Sequence, residues 1–104
     1  MEVEQAGKVA ELNDAFRLSG FGVTITVGVQ GLEDVAGLLQ EMRVFNTFSE
    51  DNDPYGEHDF GSIIWQGEKV FWKIDYYDQR LEYGEEPLSP NCRRILTVML
   101  ASEY

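Results

Sequence analysis

Apolar and polar residues recur along this chain with two different periods, and the changes of period mark its elements. Between Glu2 and Leu18 the apolar positions Val9, Leu12 and Phe16, with Ala6 and Ala15 beside them, follow helical spacing, while Glu11, Asp14 and Arg17 fall mainly on the other side. Ser19-Gly20 supplies a stop, because glycine takes the left-handed position that closes a helix. From Gly22 to Val29 the period drops to two: Val23, Ile25, Val27 and Val29 point one way, Thr24, Thr26 and Gly28 the other, which predicts a half-buried strand. Gly31 breaks it. A second helix is predicted from about Leu32 to Phe45, with a stripe of Val35, Leu38, Leu39, Met42 and Phe45 and with Glu33 and Asp34 in a first turn that favours negative charge.

Residues 46–59 carry no period. Pro54 and Gly56 exclude regular structure there, and loops of this length are usually functional or disordered. Phe60 to Trp65 and Lys69 to Tyr77 then read as a hairpin around Gln66-Gly67-Glu68. Its second strand places Val70, Trp72, Ile74 and Tyr76 on one face and Lys69, Phe71, Lys73, Asp75 and Tyr77 on the other. Leu81 to Tyr83 is a candidate short edge strand. Ser89 suits a cap and Pro90 a first helical position, so a last helix is predicted, with Ile95, Leu96, Val98, Met99 and Leu100 spread around much of its cylinder. The order predicts an α+β domain spanning residues 1–104: a small antiparallel sheet of three to four strands with about three helices packed mainly on one face.

Charge narrows the function classes. The 104 residues hold 19 acids against 8 bases, a net charge of −11. Direct nucleic-acid binding and attachment to an anionic membrane both need Lys and Arg, so both are disfavoured. Hydrophobic residues at 43% and aromatics at 12% give the chain enough apolar surface to fold against its self-repulsion. Cys92 is the single cysteine and His58 the single histidine, so an intramolecular disulfide and ordinary zinc sites are excluded. The acidic start Met1-Glu2-Val3-Glu4 is unlike a signal peptide, and the apolar run from Ile95 to Ala101 is far short of the ~20 residues that span a bilayer, so a cytoplasmic location is expected.

The excess charge is concentrated. Glu50 to Glu86 contains eleven acids and three bases. Within this region, the stretches from Asp51 to Gly61 (DNDPYGEHDFG) and from Val70 to Asp78 (VFWKIDYYD), together with Leu96 to Ala101 (LTVMLA) and the ending Glu103-Tyr104, resemble the bacterial domain of unknown function 3768. The resemblance covers nearly the whole chain. It implies a small protein of plasmids and other mobile elements with no established activity, a context in which inhibitors of host defence are expected by analogy.

Several chemistries compete for the acidic region. Asp51, Asp53, Glu57 and Asp59 are candidate oxygen ligands for a hard cation, and Asp51-x-Asp53 with Gly56 matches the opening of an EF-hand loop. The match then fails, with Tyr55 at a ligand position and Ser62 where the bidentate Glu belongs. Asp59 and Asp75, with His58 adjacent, are a candidate acid–base pair across the hairpin. Cys92 with His58 and Asp59 is a candidate nucleophilic set, although a lone cysteine is more often an inert small residue. The aromatics Trp65, Phe71, Trp72, Tyr76 and Tyr77 lack the basic groove that base stacking needs. The expected function is therefore a non-enzymatic binding protein without cofactor. Its carboxylates would stand in for phosphates on the basic surface of a nucleic-acid-handling partner, as an anti-CRISPR or other anti-defence inhibitor does. The expected contacts are Glu50, Asp51, Asp53, Glu57, Asp59, Asp75 and Asp78, with Tyr55 and Tyr77 as anchors; a metal-binding module or small metal-dependent enzyme built on Asp51–Asp59 is the alternative.

Overall fold

Antiparallel pairing of β2 (Phe60–Trp65) with β3 (Glu68–Tyr77) builds the hairpin that the alternation predicts. Trp65 pairs with Glu68, so the connection is the two residues Gln66 and Gly67, both at positive φ (52° and 83°) as the tight hairpin turn requires. The computed structural model describes residues 3–104. The other elements are α1 (Val3–Ser19), β1 (Val23–Ile25), the single turn α2 (Val27–Gln30), α3 (Val35–Arg43), β4 (Arg93–Leu100) and a 3-10 turn at Ala101–Glu103. The four strands form one sheet in the order β1-β4-β3-β2.

The architecture is the expected α+β, with three helices among the described residues, but the sheet is mixed: β1 runs parallel to β4, pairing Val23 with Leu96 and Ile25 with Val98. The predicted last helix is absent, and its residues form β4, an inner strand. Leu96 and Val98 are buried on the helix-covered face, while Ile95, Thr97 and Met99 pair across to Asp75, Lys73 and Phe71 on the other. Apolar residues all around a predicted cylinder equally suit an inner strand whose second face is half-buried, and the β-branched Ile95, Thr97 and Val98 favour that outcome. Ser89-Pro90 caps a turn instead, with Ser89 Oγ accepting from Asn91 N–H (3.1 Å) and Ser89 O from Cys92 N–H (3.1 Å).

Three smaller corrections have local causes. The strand predicted to Val29 stops at Ile25, because Thr26 caps α2 and its Oγ1 accepts from Val29 N–H at 3.4 Å. Thr26 also donates to Glu103 (2.6 Å), whose carboxylate takes the N–H groups of Gly28 and Leu100 and is held below the usual range chiefly by the Thr26 bond. The second helix starts at Val35 rather than Leu32, since Asp34 takes a left-handed conformation and caps it through Gly37 N–H (3.1 Å). Leu81 to Tyr83 forms no strand; one isolated bridge joins Tyr77 to Gly84.

Val29 of α2 and Leu38 and Met42 of α3 pack on Val70, Trp72 and Ile74 of β3 and on Leu96 and Val98 of β4, with Phe16 of α1 against the same cluster. Trp72 is fully buried at its centre. On the opposite face Phe60, Phe71 and Tyr104 form a small aromatic group: Tyr104 meets both phenylalanines edge-on, and Phe60 is tilted against Phe71, with ring centroids 5.1 to 6.1 Å apart. The buried face of α1 is also rotated from the predicted stripe: it comprises Ala6, Val9, Ala10, Asn13 and Arg17, and Leu12 is exposed.

Candidate functional site

Strand direction decides where the charge gathers. In the β2-β3-β4 meander, β2 begins, β3 ends and β4 begins at one end of the sheet. Residues 46–59 lead into β2 and residues 78–92 connect β3 to β4, so both segments lie at that end. Together they carry nine acids and a single base, Arg80.

A buried hub ties the two segments together. Asn13 is 0% exposed, and its Nδ2 donates to Glu57 O in the first segment (2.9 Å) and to the Tyr76 hydroxyl on β3 (2.8 Å). Arg94 Nε donates to Asn13 Oδ1 (2.7 Å), and Arg94 Nη2 donates to Pro87 O in the second segment (2.8 Å). The guanidinium also lies over the Tyr76 ring, 5.3 Å from its centroid.

The first segment is further organised from within. Asn52 accepts from Ser49 N–H and donates to Thr47 O, both at 2.8 Å. Asp53 turns inward and accepts from Glu57 N–H (3.2 Å) and His58 N–H (3.3 Å). His58 stacks on Phe48 with ring centroids 3.8 Å apart, and its Nδ1 lies 3.0 Å from Asp14 on α1. In the second segment Asp78 Oδ1 accepts from Arg80 and Glu82 N–H, and Glu85 N–H donates to Tyr76 O.

The expected contact residues therefore divide. Glu50 and Asp51 are exposed at the first segment's outer turn, whereas Asp53 and Asp78 spend their carboxylates on loop amides. Asp53, Tyr55, Asp59 and Asp75 line one hollow of about 370 Å³, together with Phe60, Lys73 and Tyr104. Lys73 pairs with Asp75 at 3.1 Å, and this contact holds the Lys73 ammonium above its usual value. Tyr77 sits outside the hollow, beside Arg93 on the sheet face away from the helices. Glu57 is half-buried, and the structure turns its carbonyl to Asn13.

Burial and neighbouring charge raise two of these carboxyls. Burial first, then the charges of Asp59 and Asp53, push Glu57 above its ordinary value. Asp59 is raised in the same way by burial and by Asp53 and Asp75, against hydrogen bonds from its own backbone N–H and from Tyr76. Burial, with the charges of Asp59 and Glu57 adding, pushes the Tyr76 hydroxyl up to about 12. A carboxyl whose folded value is raised stabilises the fold when protonated, and that contribution is lost as pH rises through the folded value. Asp59→Asn is accordingly expected to be more stable than wild type at pH ~7, with the gap closing as pH falls towards the unfolded carboxyl range near ~4. Urea denaturation across that range reads the effect; a gap independent of pH would contradict it.

Among the described residues, no group of three or more His, Cys, Asp or Glu is placed to hold a metal ion. Cys92 lines a different hollow from His58, with Leu12, Phe16 and Arg94, and burial pushes its thiol up. No helix among the described residues is long and apolar enough to cross a membrane.

A family model described as a protein of unknown function, DUF3768, matches residues 23–103. The chain belongs to the DUF3768 family. No curated protein and no solved structure matches it. The matched span holds all four strands and both acidic segments; α1, which supplies Asn13 and Asp14, precedes it. Asn13 and Arg17 escaped the sequence reading, although a signal existed: both fall at helical spacing from Val9, on the apolar stripe itself.

Proposed function

We propose that this DUF3768 protein is a non-enzymatic binding protein whose acidic end occupies a basic, nucleic-acid-handling surface of a partner protein. The observation that carries the reading is the anchoring of both acidic segments at one end of the sheet through Asn13 and Arg94. A preformed cluster of charge steers encounter and selects a complementary partner without first paying to order its loops. The hollow beside Asp59 and Asp75, walled by Tyr55, Phe60 and Tyr104, suits the cationic head of a partner Lys or Arg, with aromatic faces for its stem. A cation in that hollow would offset the repulsion from Asp53 and Asp75 that adds to the effect of burial on Asp59. An inhibitor of host defence, acting in the cytoplasm, is the concrete form of this reading.

The test is capture of partners from host lysate, with washes of rising salt. Wild type is expected to retain a basic nucleic-acid-binding protein that elutes as salt increases. Reversing Glu50, Asp51 and Glu86 to Lys leaves the loop-holding Asp53 and Asp78 in place and is expected to slow association roughly tenfold or more at low salt. Retention and salt elution unchanged by the triple reversal would overturn the reading.

A further inference from the structure

On a chain with a net charge of −11, one hollow is lined by two arginines and a single carboxylate, Asp14. It has a volume of about 230 Å³, lies where the end of α1 meets the end of α3, and has Arg17, Arg43 and His58 among its polar walls. Arg17 is only 3% exposed. Its Nη2 donates to Phe45 O (2.8 Å) and to Asp14 (3.1 Å), but its buried Nε and Nη1 have no partner. The buried Nε of Arg43 has none either. The Arg17 guanidinium also lies over the Trp72 and Phe48 rings, 4.8 and 5.5 Å from their centroids, which offsets part of its burial without accepting these N–H groups. Buried donors without acceptors are rare in folded proteins, and three on two arginines that line one hollow require an explanation. Among the described residues Asp14 is the only carboxylate paired with Arg17, Asp14 is shared with His58, and no carboxylate lies within 4.0 Å of Arg43.

The backbone clears a place for the second arginine. Gly20 has φ +73°, and a Cβ there would come within 3.0 to 3.2 Å of Nε, Nη2 and Cζ of Arg43. The guanidinium thus lies against the glycine that closes α1, on the rim of the hollow. Leu18, Val44 and Phe48 supply apolar walls.

We infer that this hollow is a binding site for a small organic monoanion, a carboxylate with an apolar tail, held by Arg17 and Arg43. The planar guanidinium matches a carboxylate in a two-bond fork, and the free donors of the two arginines are of the kind that such a ligand satisfies. The apolar walls select a tail over a bare inorganic ion. Asp14 on the wall repels a second negative charge, which selects a monoanion over phosphate. The hollow borders the first acidic segment through Asn46, Phe48 and His58, but it is held by the arginines of α1 and α3 and is tested by a different ligand.

The experiment is a titration of the 15N-labelled full chain with sodium benzoate, run beside inorganic phosphate and sodium chloride at matched ionic strength. Saturable shifts are expected with benzoate at the amides of residues 43–46 and His58, without saturation by phosphate or chloride. Arg43→Gln is expected to weaken benzoate binding roughly tenfold or more, because a charge-assisted pair is lost, while Glu41→Gln on the same helix leaves it intact. The Arg43→Gln spectrum away from the hollow reports that the fold is preserved. Absence of saturation at millimolar benzoate, saturation by phosphate instead, or an Arg43→Gln variant that titrates like wild type would each overturn the assignment.

Discussion

Asn13→Ala is expected to lower stability by about 3 kcal/mol, far more than an ordinary helix-surface substitution, because it strands several buried groups at once. The side chain makes three hydrogen bonds at 0% exposure, and alanine satisfies none of them. Arg94 Nε loses its acceptor, and Glu57 O and the Tyr76 hydroxyl lose their shared donor. The Nε of Arg94 is the most costly of these, because it belongs to a charged group, although the guanidinium keeps Pro87 O and the Tyr76 ring. The loss falls on the acidic end in particular. Limited proteolysis is expected to cut the variant within residues 46–59 and 78–92 under conditions that leave wild type intact. Chemical denaturation supplies the energy. A loss below about 0.5 kcal/mol would mean that the two segments hold themselves in place without the hub.

Gly61→Ala is expected to destabilise by about 3 kcal/mol, although glycine within a strand ordinarily gains from the same change. Gly61 faces Trp72 directly across the β2–β3 ladder. A Cβ at Gly61 would collide with the indole, meeting Nε1 first and then Cε2 and Cζ2. The indole cannot retreat, because it is fully buried, Phe45 and Phe48 pack edge-on against it, and Arg17 lies over its ring. Overpacking at the centre of a core is relieved only by moving strands apart. Thermal melting compares the variant with Gly67→Ala in the hairpin turn, where added bulk meets nothing within 4 Å and the cost comes from the φ of +83° alone. A Gly61→Ala protein as stable as wild type would show that β2 is free to shift outward.

Pattern carried the hairpin, because alternation and a glycine turn are local signals that the sheet obeys. It failed at residues 93–100 for a physical reason: an inner strand with apolar residues on its second, half-buried face as well loses its alternation, and what remains looks like a buried helix. The parallel pairing of β1 with β4 joins residues more than 70 positions apart, which no window along the chain reveals. At the candidate site, the concentration of acids was legible as composition, but their meeting at one end depends on strand direction. The division of labour among them was not legible at all. Asp53 and Asp51 look alike in sequence, yet one holds loop amides and the other faces solvent. Leu12 and Phe16 draw the apolar stripe to the wrong side of α1 and leave Arg17 on its polar side, whereas it is buried.

The place of β4 also governs the order in which the molecule is made. It is the last strand in the chain and an inner one in the sheet, between β1 and β3. A nascent chain that ends before Arg93 holds the hairpin and the helices but has no strand to join β1 to them. Its core face lacks Leu96 and Val98, and closure then spans most of the chain at once, a slow, non-local step. Closure of the sheet around β4 is therefore expected to be a single cooperative step.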